Sequence, residues 1–473
     1  MIFEILMFRM VDVLLISPPF RGLKREPLGL YYLSGVLKVG GVSSSVIDFN
    51  VQPFSLTDFR GYAKRANPRI VGVTSYTFNF SAAVRILEEV KRCLPKSTTV
   101  LGGVHASALP NEVLRNTKAL DYVVIGEGEC AFLELCRRIL NGEGAEGVGG
   151  IAYREEDKTL INPPSHQLVD LDGLPLPDRR MLPIERYPVA SVQTSRGCPY
   201  SCIFCNINQF YGRRIRLRDP RGVVDECSIL VNKYKKDNIF FFGDAFTISS
   251  DWVERFCDEI IRRGLKFTWG CETRVDNVSY PLLKRMRMAG CREIQYGIDY
   301  GDEGVLKLLG KDVSIEEIDD AVRWAKRAGL FVGAFFIFNV PGEDEETMER
   351  TFNLIQRVPV DAVEVNLLTP YPGTPLWHRP GEFGMRIINF DFDYYTTKRY
   401  VMENLNFPKN RFVPAFKRLL RRLNLVPIPG YQPEIYDFLK RPPRIEVWRR
   451  RGLGDFFSSL FRASGGGPSS THL

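Results

Sequence analysis

Short apolar runs rich in β-branched residues alternate with helix-length amphipathic stretches along most of this chain, and the alternation stops once and then restarts. The first series carries strand patterns in "DVLLISPP" (12–19), "SSSVIDFN", "IVGVTSY", "TTVLGGVH" and "DYVVIGEGE", with helical patterns such as "SAAVRILEEVKRCL" between them. Strands separated by single helices need crossover connections, which predicts an open, doubly wound (Rossmann-like) parallel sheet. Residues 151–188 are rich in Pro and Asp without periodicity and read as an extended linker. The second series predicts strands at 189–195, 238–243, 267–272, 292–298, 330–338 and 361–368. Six such units predict a partial (β/α)6 barrel of the triosephosphate-isomerase (TIM) type, open on one side. The expected class is α/β throughout.

A length of 473 residues calls for more than one domain. The expected division is an N-terminal extension (1–10), a doubly wound domain (11–150), the linker (151–188), a barrel core (189–385) and a basic C-terminal region with a disordered end (386–473). Met1 and Met10 both remain open as the true start. No apolar run reaches membrane-spanning length, and "MIFEILMFRM" lacks a small-residue cleavage site, so a cytoplasmic location is expected. The ten cysteines are mostly scattered singly, as reduced thiols are. The net charge of +8 is uneven: residues from Lys398 onward carry 15 Lys or Arg against 5 Asp or Glu, leaving about −2 for everything before. A body without basic character argues against a nucleic-acid partner.

The exception to the scattered thiols is "GCPYSCIFCN" (197–206), which follows the first strand of the second series. That places Cys198, Cys202 and Cys205 on the carboxyl-end face of a parallel barrel, where active sites are built. Three thiolates at Cys-x3-Cys-x2-Cys spacing can wrap one iron–sulfur cluster and leave one iron of four open. A structural zinc with a distant fourth ligand is the plainer alternative.

"CPYSCIFC" resembles the signature of the radical S-adenosylmethionine superfamily, with Phe204 as its aromatic residue. The resemblance implies a [4Fe-4S] cluster whose open iron is chelated by S-adenosylmethionine, which is cleaved to a 5′-deoxyadenosyl radical. Later segments extend it. In "FFGDAFT", Gly243 and Asp244 match positions bordering the methionyl amino group, and in "CETRVD", Glu272 and Arg274 match positions meeting ribose or carboxylate. "YGIDYGDEGVLKLLGK" is similar to the family's "GIESG" stretch, with Asp299 where Glu is usual. A capping, turn or ion-pair role is the plain alternative for each downstream charge.

The first series ends its strands in loops suited to a ligand: Thr74 and Ser75 after the third, Gly102, Gly103 and His105 after the fourth, and Glu127 in "GEGE" after the fifth. Paired glycines let backbone approach a ligand closely. Together with "EPLGLYYLSGVL", the pattern resembles the cobalamin-binding domain that precedes many radical S-adenosylmethionine barrels. The loop after the first strand, "SPPFRGLKREPLG", has no histidine, so cobalamin is expected without an axial ligand from the protein. His105 is expected to contact the cofactor tail or to stand behind a contact.

The resemblance implies methylation of an unactivated carbon in a small-molecule or lipid substrate, with a reducing donor such as flavodoxin or ferredoxin. A radical cyclase or rearrangement enzyme without methyl transfer is the main alternative. A methylthiotransferase would need a second cysteine cluster that Cys93, Cys130 and Cys136 do not form, and a non-catalytic cobalamin-binding regulator sits poorly with an intact cysteine triad. In "RFVPAFKRLLRRLNL", Phe412, Phe416, Leu419 and Leu423 share one helical face among basic residues, and "WRRRGLGDFFSSLFR" repeats the mix. Residues 411–462 could lie on the inner face of an anionic membrane, or the stripe could cap the barrel.

Overall fold

The computed structural model describes residues 10–20, 24–52, 55–156, 158–163, 169–243 and 245–423, and the backbone of 425–427 and 447–450. The expected 1–10 extension lies outside these except for Met10.

Strands β1 (Val13–Ser17), β2 (Ser44–Asp48), β3 (Ile70–Thr74), β4 (Thr98–Gly102), β5 (Tyr122–Val124), β6 (Ile151–Glu155) and β7 (Lys158–Ile161) form one sheet in the order β2-β1-β3-β4-β5-β6-β7. The first five are parallel. Every residue of β1 is buried, as expected of a strand covered on both faces. Val13 and Leu15 pack with Leu30, Leu37, Phe132 and Leu135 from helices Leu28–Val39 and Gly128–Asn141. Leu14 and Ile16 pack on the other face with Phe59, Ala63, Ile86 and Leu87 from helices Leu56–Ala66 and Phe80–Cys93. The alternation of one strand between two helical layers is the doubly wound arrangement.

The expected linker starts later than the sequence suggested. Residues 151–155 and 158–161 are the antiparallel pair β6 and β7, laid on the edge of β5. Ile151 and Ala152 are buried there, so the sheet gains a hairpin that the Pro- and Asp-rich sequence following it had obscured.

The second sheet begins with β8 (Ala190–Gln193), and a short antiparallel ribbon, β9 (Ser195–Arg196) with β10 (Arg216–Leu217), flanks its end. Strands β11 (Asn238–Phe242), β12 (Thr268–Thr273), β13 (Cys291–Asp299), β14 (Phe331–Phe338) and β15 (Ala362–Leu367) continue it in the parallel order β8-β11-β12-β13-β14-β15. Its outward faces pack on amphipathic helices such as Ser250–Arg262 and Ile315–Arg327, each opened by a serine cap.

The two units meet through buried polar contacts. Glu26 Oε1 accepts from Arg179 Nε at 3.0 Å and its Oε2 accepts from the Ser191 amide at 2.6 Å. Arg179 also donates to Glu226, which accepts from Arg218. Tyr187 donates to Asp48 at 2.7 Å.

The C-terminal helix Lys409–Leu420 settles one alternative. Phe412, Phe416 and Leu419 are fully buried, and Phe416 packs against Phe338 and Phe352. Arg422 pairs with Glu349 at 2.6 Å and Arg418 with Glu345, both on helix Glu345–Arg357. The stripe therefore caps the barrel and is not available to a membrane at 411–423. Burying each large apolar side chain contributes about 1.5–3 kcal/mol, more than the surface ion pairs beside them. The side chains of 448–462 lie outside the described residues. Among the described residues no helix is long and apolar enough to cross a membrane.

Candidate active site between two facing sheet ends

The cysteine loop leaves β9 and is clasped from two sides. The Cys198 amide donates to Gly212 O at 3.3 Å, and the Ile203 amide to Leu309 O at 3.0 Å. Gly310 (φ +73°) backs directly onto the loop: a Cβ there would stand 2.6 Å from Ser201 O. Only glycine combines that conformation with that approach. Cys198, Cys202 and Cys205 are all half-buried. Burial raises the Cys202 thiol pKa, Asp299 adds to the rise, and Lys311 and Arg274 oppose it. Among the described residues no trio of His, Cys, Asp or Glu converges as a single metal ion would require. A four-iron cluster makes a different demand, because each thiolate binds a separate iron. Three thiols on one clasped loop, with the ion pairs Lys311–Asp299 and Arg274–Asp276 beside them, fit such a cluster.

The other residues expected at S-adenosylmethionine separate into several situations. Phe204 packs half-buried on the barrel core. Gly243 follows β11 and lies against Thr194 and Ser195, where a Cβ would stand 2.5 Å from Thr194 Oγ1. Asp244 lies outside the described residues. Arg274 forms a two-bond pair with Asp276 (2.9 and 2.8 Å) and stacks 3.7 Å over the Tyr200 ring, so it stands near the loop already held. Glu272 faces the barrel interior, with Arg25 of the first unit 3.9 Å away. Burial raises its pKa and Arg25 opposes the rise. Asp299 has φ +69° at a register shift between β13 and β14, and its carboxylate is taken by Lys311.

On the first unit, Thr74, Ser75, Gly102 and Gly103 come together. The Ser75 amide donates to Gly102 O at 2.9 Å, and Gly103 (φ +95°) lies so close that a Cβ would stand 2.5 Å from Ser75 O. A Cβ on Gly102 would meet nothing nearer than Val124 at 3.9 Å, so its outer face is open to a ligand. Tyr76, next in the chain, is 51% exposed, yet burial raises its hydroxyl pKa. Its ring stacks on Phe78 at 5.4 Å. An open glycine edge beside an aromatic wall fits a flat cofactor.

Two expected contacts have other occupations. His105 is 1% exposed, with rings of Phe80 and Phe392 at 4.3 and 4.6 Å and Thr77 Oγ1 3.3 Å from Nδ1. Burial lowers its pKa to about 4. It packs where the first unit meets the segment after the barrel. Glu127 is bound by Arg196 and Arg216, which overcome its burial and lower its pKa. Sequence reasoning missed these arginines; the signal was an arginine two residues before the first cysteine and a "GEGE" segment elsewhere.

A cavity of about 860 Å³ opens at the amino ends of the barrel strands, at Asn238, Thr268 and Gly290, and reaches inward to Phe242 and Gln295, with Lys24 and Arg25 from the first unit at its wall. The Arg25 guanidinium lies 4.7 Å over Phe242.

Residues 192–355 match the radical SAM superfamily and residues 21–136 match the B12 binding domain. A magnesium-protoporphyrin IX monomethyl ester cyclase of Rubrivivax gelatinosus, acting anaerobically by its name, is 31% identical over 80% of this chain and 70% of its own. The chain belongs to the cobalamin-binding radical S-adenosylmethionine family. An uncharacterized methyltransferase of Pyrococcus horikoshii is 29% identical over 88% of this chain and 92% of its own. The radical S-adenosylmethionine methyltransferase TsrM of Kitasatospora setae shares the fold, with a TM-score of 0.73 at 19% identity over 87% of this chain and 88% of its own. The cofactors of this family are a [4Fe-4S] cluster, S-adenosylmethionine and cobalamin; the cysteine loop fits the first and the open glycine edge the last.

Proposed function

We propose that this protein is a cobalamin-dependent radical S-adenosylmethionine C-methyltransferase acting on a small-molecule substrate. The observation that supports it most is the apposition of the two strand-end faces. Gly126, after β5, stands opposite Phe210, which follows the cysteine loop, and Gly373, after β15, lies against Ala108 and Gln209. Ligands of parallel sheets bind beyond the carboxyl ends of the strands, so both cofactor sites border one space.

When bound, the cluster and S-adenosylmethionine supply a radical that removes hydrogen from an unactivated carbon, and cobalamin supplies the methyl group. The chain's own residues do the positioning. Cys198, Cys202 and Cys205 hold the cluster, with Lys311 and Arg274, each paired to a carboxylate, beside Cys202. Phe204 and Gly243 shape the S-adenosylmethionine side, and Asp244 is assigned there from its motif. Thr74, Ser75, Gly102 and Gly103 hold cobalamin on the opposite wall, and Tyr76 faces it. Arg25 and Glu272 offer opposite charges at the barrel mouth for orienting a polar group of the substrate. The proposed division keeps 189–385 as the radical core and extends the cobalamin unit to residue 161, because β6 and β7 pair in its sheet.

A second reading has a specific finding behind it, since the Rubrivivax relative is named a cyclase. Anaerobic reconstitution separates the two. Methyl transfer yields S-adenosylhomocysteine and 5′-deoxyadenosine in equal amounts with a methylated product traced from labelled methionine. Deoxyadenosine with an altered, unmethylated product establishes the cyclase reading instead.

A further inference from the structure

Arg196 joins the cysteine loop to the first unit through buried charges. It is 3% exposed, yet its guanidinium is fully engaged. Nη1 donates to Glu127 Oε1 at 2.9 Å, Nη2 to Glu129 Oε1 at 2.6 Å and Nε to Gln193 Oε1 at 3.0 Å. Arg216, its antiparallel partner across the β9–β10 ribbon, also grips Glu127 with bonds of 2.8 and 3.0 Å. Two guanidinium groups and two carboxylates make a neutral quartet. The carboxylates belong to the segment after β5; the arginines belong to the ribbon on either side of the cysteine loop.

The planar fork of arginine fixes direction as well as distance, which an ammonium group would not. Rings of Tyr32 and Tyr211, each 5.6 Å from the guanidinium carbon, limit its lateral movement. Cys198 stands two residues beyond Arg196, and its amide is bonded to Gly212 within the same ribbon connection. A shift of the quartet is therefore transmitted to the cysteines through only a few bonds. General docking of the units does not need this quartet, because Glu26–Arg179, Asp48–Tyr187 and His105–Phe392 hold them elsewhere.

We propose that Arg196 is a positioning residue that fixes the cluster loop against the cobalamin face, setting the separation of the two cofactors. The proposal rests on the functional reading above. It assigns "GEGE" to holding the second unit rather than to touching cobalamin.

The test uses the full chain, reconstituted anaerobically with iron, sulfide and cobalamin, as wild type, Arg196→Lys, Arg196→Gln and the near-isosteric pair Glu127→Gln/Glu129→Gln. Two measurements are made. The first is the relaxation rate of the cob(II)alamin electron spin with the cluster oxidised and then reduced, since the reduced cluster speeds relaxation steeply with proximity. The second, independent of both cofactors, is amide hydrogen exchange. With iron and cobalamin contents equal to wild type, Arg196→Gln and the double variant are expected to lose relaxation enhancement, and Arg196→Lys to lose part of it. Exchange is expected to rise at 197–216 and 126–129 and to stay unchanged at 179–191. Should Arg196→Gln fail to fold, the double variant carries both readings. Unchanged enhancement and unchanged loop exchange in the variants overturn the proposal while leaving the function intact. A wild type that binds no cobalamin overturns the functional reading, and the exchange pattern still decides whether Arg196 holds the loop.

Discussion

Lys311 Nζ stands 2.5 Å from Asp299 Oδ2 and also donates to the Gly297 carbonyl, at the point where β13 and β14 slip register. The pair lies behind Cys202, with Asp299 in a left-handed conformation that a β-strand residue seldom adopts. Breaking a buried pair from one side leaves an uncompensated charge. Lys311→Met should therefore cost about 3–5 kcal/mol of stability, and Asp299→Asn/Lys311→Met clearly less. Urea unfolding of the three proteins checks the order, and equal losses in single and double variants would contradict it.

Glu343 makes the stability of the barrel fall from mildly acid to neutral pH. It is buried, accepts from Tyr300 Oη at 3.0 Å, and burial pushes its pKa up to about 8. A raised folded-state pKa favours the protonated form, so this contribution is complete below about 4.5 and is lost as pH rises through about 8. Glu343→Gln should remove that slope and gain stability relative to wild type, by up to about 5 kcal/mol, at pH 8.5 and above. Urea midpoints measured from pH 5 to 9 give the answer.

His105 works in the opposite sense. With its pKa lowered to about 4, its neutral ring stabilises the fold above about pH 6.5, and that contribution disappears as pH falls toward 4. His105→Phe should flatten the acid limb by up to about 3 kcal/mol between those values. The same titration on the variant checks this, and an unchanged acid limb would remove His105 from the account.

Phe416→Ala should cost about 3–5 kcal/mol, because the ring is fully buried against Phe338 and Phe352. Thermal unfolding measures the loss. The contrary outcome, a near-silent substitution, would mean that the helix is not seated on the barrel in solution.

The sequence made the strands legible because parallel strands covered on both faces must be apolar throughout. β11 and β14 fall inside the spans expected from their Ile-, Val- and Phe-rich runs. The cysteine triad was legible for a local reason, since all its ligands sit on one loop. Glu127 was not, because its role depends on Arg196, 69 residues away, and on no local spacing. The stripe of Phe412 and Phe416 announced an apolar face that something must cover, but amphipathicity does not say what. The β6–β7 hairpin was hidden for a third reason: its strands are short, and Pro and Asp directly follow them.

Glu26 also has a consequence for synthesis. Its carboxylate leaves the ribosome early, yet Arg179, its buried partner, lies 153 residues later. At about 5–20 residues per second, the nascent chain carries this loop without its partner for about 8–30 s. The first unit can assemble its sheet in that interval, but the loop after β1 cannot take its final place until the barrel's first strand has emerged. The cofactor-binding units are thus born in sequence and finished together.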